Sequence, residues 1–192
     1  VPNISKLKAV NLNDLLGRGL IKIDNIKNKL FYNNKIILVT GAAGSIGSEI
    51  VRQIIKFKPS KIILLDNSET SMFKIKEELK FTSEQIEVLY YLNSVTDKIV
   101  VEKIFSLHKI DVVFHAAAYK HVNMMEENPR AAIINNIYGN KLVIDYSIKY
   151  NVKTFVLISS DKAVNPTNVM GATKRICELY LASKIKDLNN NI

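Results

Sequence analysis

The chain has 192 residues, 47% of them hydrophobic, with one cysteine and a formal net charge of +9. That length holds one domain with a sizeable core, the apolar share excludes a disordered chain, and a lone Cys177 excludes an internal disulfide. No apolar run reaches the length of a membrane span, no secretory leader is expected at the start, and the three histidines and one cysteine show no metal-ligand spacing.

Residues 1–35 carry seven Lys/Arg against two Asp, so +5 of the +9 sits there. Neither aromatic interleaving nor a nucleic-acid motif accompanies these lysines, which argues against nucleic acid. A solvated segment, or one lying near acidic lipid headgroups, accounts for them. Residues 1–34 read as a linker, with a short capped turn at 13–18, and residues 35–192 as the folded domain.

Lys35–Val39 is an apolar, β-branched run that predicts a buried strand. Gly41, Gly44 and Gly47 follow it at G-x-x-G-x-x-G spacing. From Ile46 an apolar stripe of Ile46, Ile50 and Ile54, with Val51 and Ile55 beside it, predicts a helix that Lys58-Pro59 ends. Glycines belong there because the turn is tight, because a diphosphate must lie on bare backbone, and because helix and strand pack closely. A second strand, Lys61–Leu65, ends in Asp66, 25 residues past Gly41, where a carboxylate can accept hydrogen bonds from an adenosine ribose. The pattern predicts a dinucleotide site at Gly41, Ala43, Gly44, Ser45, Ile46, Gly47, Asp66 and Asn67.

Asn67-Ser68 predicts the cap of a helix to about Lys80, with Met72, Ile75 and Leu79 inward. A third strand is expected over 86–91 and a helix over 96–108, with Val100, Ile104 and Leu107 on its inner side. A fourth strand, 110–115, opens onto Ala116, Ala117 and Ala118, small residues that let a cofactor approach the backbone. Asn128-Pro129 predicts the start of one long helix to about Lys149. A fifth strand, 153–158, ends in Ser159-Ser160-Asp161-Lys162, and a last helix is expected over 170–186. Cys177 lies on an apolar helical face and reads as a buried thiol. Alternating strands and helices specify an α/β, Rossmann-like parallel sheet of order 3-2-1-4-5 with helices on both faces. Ligands are expected at the carboxyl ends of the strands, where the glycine loop, Asp66, Ala116–Ala118 and Ser159–Lys162 converge.

Thr40-Gly-x-x-Gly-x-x-Gly47, His115-Ala-Ala-Ala118, Asp161-Lys162-Ala-Val-Asn-Pro166 and Gly171-Ala-Thr-Lys174 together resemble the extended short-chain dehydrogenase/reductases. More narrowly they are similar to the nucleotide-sugar 4,6-dehydratases of the capsular polysaccharide biosynthesis group, over about Asp14 to the end of the chain. That resemblance implies a redox-neutral elimination on a UDP-linked N-acetylhexosamine (UDP-GlcNAc). Hydride leaves C4 for NAD(P)⁺, a base takes the C5 proton, the 6-hydroxyl departs as water, and hydride returns to C6 of a 4-keto-6-deoxy sugar. It further implies Asp161 as the acid, Lys162 as the C5 base, Ser160 as a hydrogen-bond partner of the C4 oxygen, and Lys174 on the nicotinamide ribose. A basic Lys162 requires burial or neighbouring cations.

The dehydrogenase signature Tyr-x-x-x-Lys stands here as Met170-Gly-Ala-Thr-Lys174. A thioether takes no proton, which leaves Ser160 with water, or Asp161, as the C4 acceptor. Methionine there resembles the membrane-tethered long branch of these dehydratases. By that resemblance the chain is a cytoplasmic piece of a membrane-anchored parent at the bacterial inner membrane, ending before the part that grips UDP and sugar. Homo-oligomerisation is left open. Asn93-Ser94-Val95 stands where many relatives have an adenine-contacting aspartate, so Ser94 and Val95 are expected at the cofactor without it. Asp66 favours NAD over NADP. Lys120 reads as a diphosphate contact or a solvated lysine, and Asn136 as a site residue or a solvent-facing one. A UDP-sugar 4-epimerase and a non-catalytic nucleotide-binding or redox-sensing domain are the alternatives.

Overall fold

The computed structural model of the chain describes residues 25–80 and 86–190. The turn expected at 13–18 lies outside them. Helix α1 (Asn25–Tyr32) leads into β1 (Ile36–Thr40), α2 (Ser45–Ile55), β2 (Lys61–Asp66), α3 (Glu69–Leu79), β3 (Glu87–Leu92), α4 (Lys98–Leu107) and β4 (Val112–His115). After β4 come α5 (Val122–Glu127), α6 (Pro129–Ala132), a π-helical segment (Ile133–Tyr138), α7 (Gly139–Lys149) and β5 (Thr154–Leu157). A 3₁₀ turn (Asp161–Ala163) and α8 (Val169–Asn190) complete the order. The five strands are parallel in the order β3-β2-β1-β4-β5, as expected from the sequence.

Residues alternate faces along a strand, and here both faces are covered, so the interiors of β1 and β2 are apolar. Ile37, Val39, Ile62 and Leu64 pack against Val51, Ile54 and Ile55 of α2 and Met72, Ile75 and Leu79 of α3. Leu38, Ile63 and Leu65 turn the other way, onto Val101, Ile104 and Phe105 of α4 and Leu142, Val143 and Tyr146 of α7. Each such side chain contributes about 1.5–3 kcal/mol by leaving water.

Several elements differ from the sequence expectation. The inner face of α4 is Val101, Ile104 and Phe105, while Leu107 is exposed, because the stripe facing the sheet sits about one residue further round the helix. At α2, Ile46 is likewise exposed at the helix tip, and burial begins at Gly47 and Ser48. The long helix expected over 128–149 is divided by the π segment, and Asn128 precedes it without a side-chain cap bond. Helix α5 was not expected. Among the described residues no helix is long and apolar enough to cross a membrane.

Candidate active site

The strand ends build the site. β1 delivers Gly41 with φ +64°, a conformation that costs a side-chain-bearing residue. A Cβ there would also lie 2.6 Å from the Ala117 nitrogen, and one on Gly47 would lie 2.0 Å from the Gly41 carbonyl oxygen. Bare backbone is therefore a requirement of the packing at this crossing. Gly44 caps α2 with no side-chain bond, so the amides of the first turn remain available to an anion, with the helix dipole behind them.

Asp66 ends β2 with its carboxylate fixed at both oxygens. Oδ2 accepts from the Ala43 N–H at 2.9 Å and Oδ1 from the Ser68 N–H at 2.9 Å. The acid thus ties the glycine loop to the start of α3, and each oxygen keeps lone-pair capacity.

Two clefts flank the glycine loop. The first is lined by Gly41, Ala43, Gly44, Asp66, Asn67, Ser94, Val95 and Ala116–Ala118, all expected from the sequence. Asn93, Tyr119 and Asn135 join them. The second runs past Ser45, Ile46 and Gly47 to Lys120, His121, Met124, Met125 and Asn128. Tyr119 borders both clefts. Asn135 was missed because it lies mid-helix, whereas Tyr119 could have been found from its position directly after Ala118. Lys120 donates to the Ser45 hydroxyl at 3.2 Å, so its ammonium sits at the α2 tip.

Ser160, Asp161, Lys162, Met170 and Lys174 do not line either cleft. Ser160, Asp161 and Lys162 form a second group one strand away, at the end of β5, while Met170 and Lys174 lie on α8. The ladder continues through the Ile158 N–H to the His115 carbonyl at 3.0 Å, which sets the two groups side by side. Ser160 caps the 3₁₀ turn, its hydroxyl oxygen accepting from the Lys162 N–H at 3.2 Å. Lys162 Nζ lies 3.2 Å from Asp161 Oδ1, and the Ser160 hydroxyl donates to the same oxygen at 3.1 Å. The Lys162 and Ser160 side chains hold the Asp161 carboxyl below the usual carboxylate range. The side chain of Lys162 is 48% exposed and its neighbour is an anion. The burial or neighbouring cations expected around it are therefore absent from this arrangement of the described residues.

Helix α8 holds that turn. Lys174 is buried, its Nζ donating to the Ile158 carbonyl at 2.5 Å, and burial lowers its pKa. Met170 is buried against Met125 and Ala132. Asn136 is 2% exposed, which decides between its two readings: it faces inward. Its Oδ1 accepts from the Tyr119 N–H at 2.8 Å, and its Nδ2 donates to the Tyr119 carbonyl at 3.0 Å and to Thr173 Oγ1 at 2.9 Å. Cys177 is buried as expected; its thiol donates to the Asn136 carbonyl, and burial pushes it up to about 11.

A glycine loop at the end of β1, an acid at the end of β2 and a parallel 3-2-1-4-5 sheet define a Rossmann-like protein of the short-chain dehydrogenase and epimerase type. Residues 37–191 match the model of the polysaccharide biosynthesis protein family, and the chain belongs to that family. It is 48% identical over 185 residues to the capsular polysaccharide biosynthesis protein CapD of Staphylococcus aureus, covering 96% of this chain and 31% of that protein. It is 38% identical over 145 residues to an inverting UDP-N-acetylglucosamine 4,6-dehydratase of Campylobacter jejuni, covering 74% of this chain and 41% of that protein. Among solved structures it is similar to the UDP-glucose 4-epimerase of Thermotoga maritima with UDP-glucose. The TM-score there is 0.67 and the identity 31%, over 77% of this chain and 50% of that one. The chain spans less than half the length of either curated relative.

Proposed function

We propose that the chain is the cofactor-binding part of a UDP-N-acetylhexosamine 4,6-dehydratase that supplies a 4-keto-6-deoxy sugar nucleotide for polysaccharide synthesis. The observation that carries this reading is the Asp161–Lys162 pair at the end of β5, an acid and an amine within 3.2 Å of each other. Elimination needs both functions, whereas hydride exchange at C4 needs neither. A bound nicotinamide dinucleotide would supply a hydride acceptor that later returns the hydride. The bare backbone at Gly41 and Gly47, the uncapped α2 tip and the free lone pairs of Asp66 fit its diphosphate and adenosine ribose. Asp66 would favour NAD, since a 2′-phosphate would meet a carboxylate.

In this reading the free pair is ammonium and carboxylate. Enclosure by substrate removes water, and a low dielectric penalises two separated charges more than a neutral pair. One proton then passes from Lys162 Nζ to the Asp161 carboxylate. That transfer makes Lys162 the base for C5–H and Asp161 the acid for the departing 6-hydroxyl. Ser160 would hold the C4 oxygen, and Lys174 the nicotinamide ribose. The parent's placement at the cytoplasmic face of a membrane belongs to the same proposal.

The 4-epimerase is the second reading, favoured by the likeness to the Thermotoga enzyme. Solvent deuterium separates the two. The protein expressed from its whole reading frame, given UDP-N-acetylglucosamine in D₂O, is expected to place deuterium at C5 of a 4-keto-6-deoxy product. An unlabelled 4-epimer would establish the epimerase instead. Replacement of Lys162 by Ala in the same protein is expected to abolish turnover with cofactor still bound. Unchanged sugar metabolism would favour the sensing domain.

A further inference from the structure

The proposed reaction begins with loss of the sugar's 4-hydroxyl proton, and Met170 offers nothing to receive it. Its side chain is buried against Met125 and Ala132. Met125 also lines the second cleft, so the apolar patch that carries position 170 forms part of that cleft's wall. Among the residues lining either cleft there is one phenol, Tyr119, and it borders both.

The placement of Tyr119 is fixed to the same helix. Its N–H and its carbonyl are both held by the side chain of Asn136, and that side chain also donates to Thr173 Oγ1. The Thr173 hydroxyl in turn donates to the Met170 carbonyl at 2.7 Å. Three side-chain bonds and one more thus join the backbone at 119 to the turn of α8 that carries position 170. The Tyr119 ring is left partly exposed, and its hydroxyl has no hydrogen-bond partner among the described residues. Beside it in the chain, Lys120 holds a positive charge at the α2 tip. Ser160 and Asp161 are placed differently, being hydrogen-bonded to each other and to Lys162.

We infer that Tyr119 is a catalytic residue whose phenolate oxygen takes the proton of the sugar's 4-hydroxyl, the role a tyrosine at position 170 would fill. The inference rests on the dehydratase reading. In the step, the sugar O4–H bond breaks as a phenol O–H bond forms. The C4–H bond breaks with its electron pair passing to an oxidised nicotinamide, which is thereby reduced, and C4 becomes a carbonyl. Across the whole elimination two protons leave the sugar, from O4 and C5, and two are returned, to the departing hydroxyl and to C5. Protons therefore balance, and the hydride that left C4 ends on C6.

The test uses the protein expressed from its whole reading frame, with Tyr119→Phe, Met170→Tyr and the double variant. Phenylalanine keeps the ring and its packing. Three quantities are measured: NAD affinity by fluorescence titration, turnover of UDP-N-acetylglucosamine, and reduced nicotinamide formed in a single turnover. Tyr119→Phe is expected to keep NAD affinity within about twofold while turnover and single-turnover reduction fall by ~100-fold, the usual worth of one proton-transfer group. Adding Met170→Tyr is expected to restore at least about tenfold of that loss. Turnover of Tyr119→Phe within about threefold of the unsubstituted protein overturns the assignment and leaves the dehydratase reading standing. NAD affinity falling in parallel with turnover overturns it too, since the residue would then serve binding. An unsubstituted protein that binds NAD yet performs no elimination on UDP-hexosamines removes the dehydratase reading and this inference together.

Discussion

A Cβ on Gly171 would stand 2.2 Å from the carbonyl oxygen of Lys162. The first turn of α8 and the turn carrying the acid–amine pair are therefore in backbone contact, with no room for a side chain between them. Asn168 Oδ1 accepts from the Gly171 N–H at 2.7 Å, and Glu126 Oε1 accepts from the Val169 N–H at 2.6 Å, so that helix end is itself anchored. Gly171→Ala must push the two apart. The expected cost is about 1–3 kcal/mol of stability. Turnover should fall by ~100-fold as Lys162 is displaced. Denaturant unfolding and steady-state kinetics of the variant check both.

Asp66 supports the loop as well as facing the cleft. Asp66→Ala orphans the Ala43 and Ser68 N–H groups, at about 1–3 kcal/mol each where they stay dry. NAD affinity should drop by at least about tenfold. Asp66→Asn keeps an acceptor and removes the charge, so it should raise the affinity for NADP relative to that for NAD. Calorimetric titration with the two cofactors measures the ratio.

His115 supplies a pH dependence. Its ring is fully buried, with Nδ1 2.7 Å from Thr40 Oγ1, and burial, helped by the Lys174 charge, pushes its pKa down to about 3 from 6.5. The unfolded imidazole takes up a proton below about pH 6.5 while the folded one refuses it. This contribution is therefore complete above pH 6.5 and declines as pH falls toward 3. Between pH 6.5 and pH 5 the loss is about 2 kcal/mol. Urea unfolding across that window should show the decline, and His115→Asn should flatten it.

Cys177 is expected to resist thiol reagents. The thiol is buried, donates to the Asn136 carbonyl and titrates near 11, so little thiolate exists at neutral pH. Maleimide labelling should proceed only after denaturant opens α8 from the π segment, and a fast reaction with the native protein would contradict this.

The sheet was legible in the sequence because a buried parallel strand leaves a continuous apolar run, and each run here is followed by a break at a glycine, an acid or small residues. The glycine loop was legible for the same reason: its backbone geometry admits few residue types. What the sequence concealed depends on tertiary partners. Periodicity gave α4 an apolar face but not its rotation, which Leu38 and Ile63 decide by offering their face of the sheet to Val101 and Phe105. Helix α5 is six residues long and its Met125 is buried against Ala132 and Met170, from elsewhere in the chain. Asn136 carried no mark of its position, because a buried amide is recognisable only by the partners it finds.

The π segment over Ile133–Tyr138 carries two neighbouring asparagines that are both buried. Asn135 borders the first cleft and Asn136 grips Tyr119 and α8. Removing a single residue from this stretch would leave a respectable helix and break the conversation between the two halves of the site, which makes the extra residue there a component of the machinery.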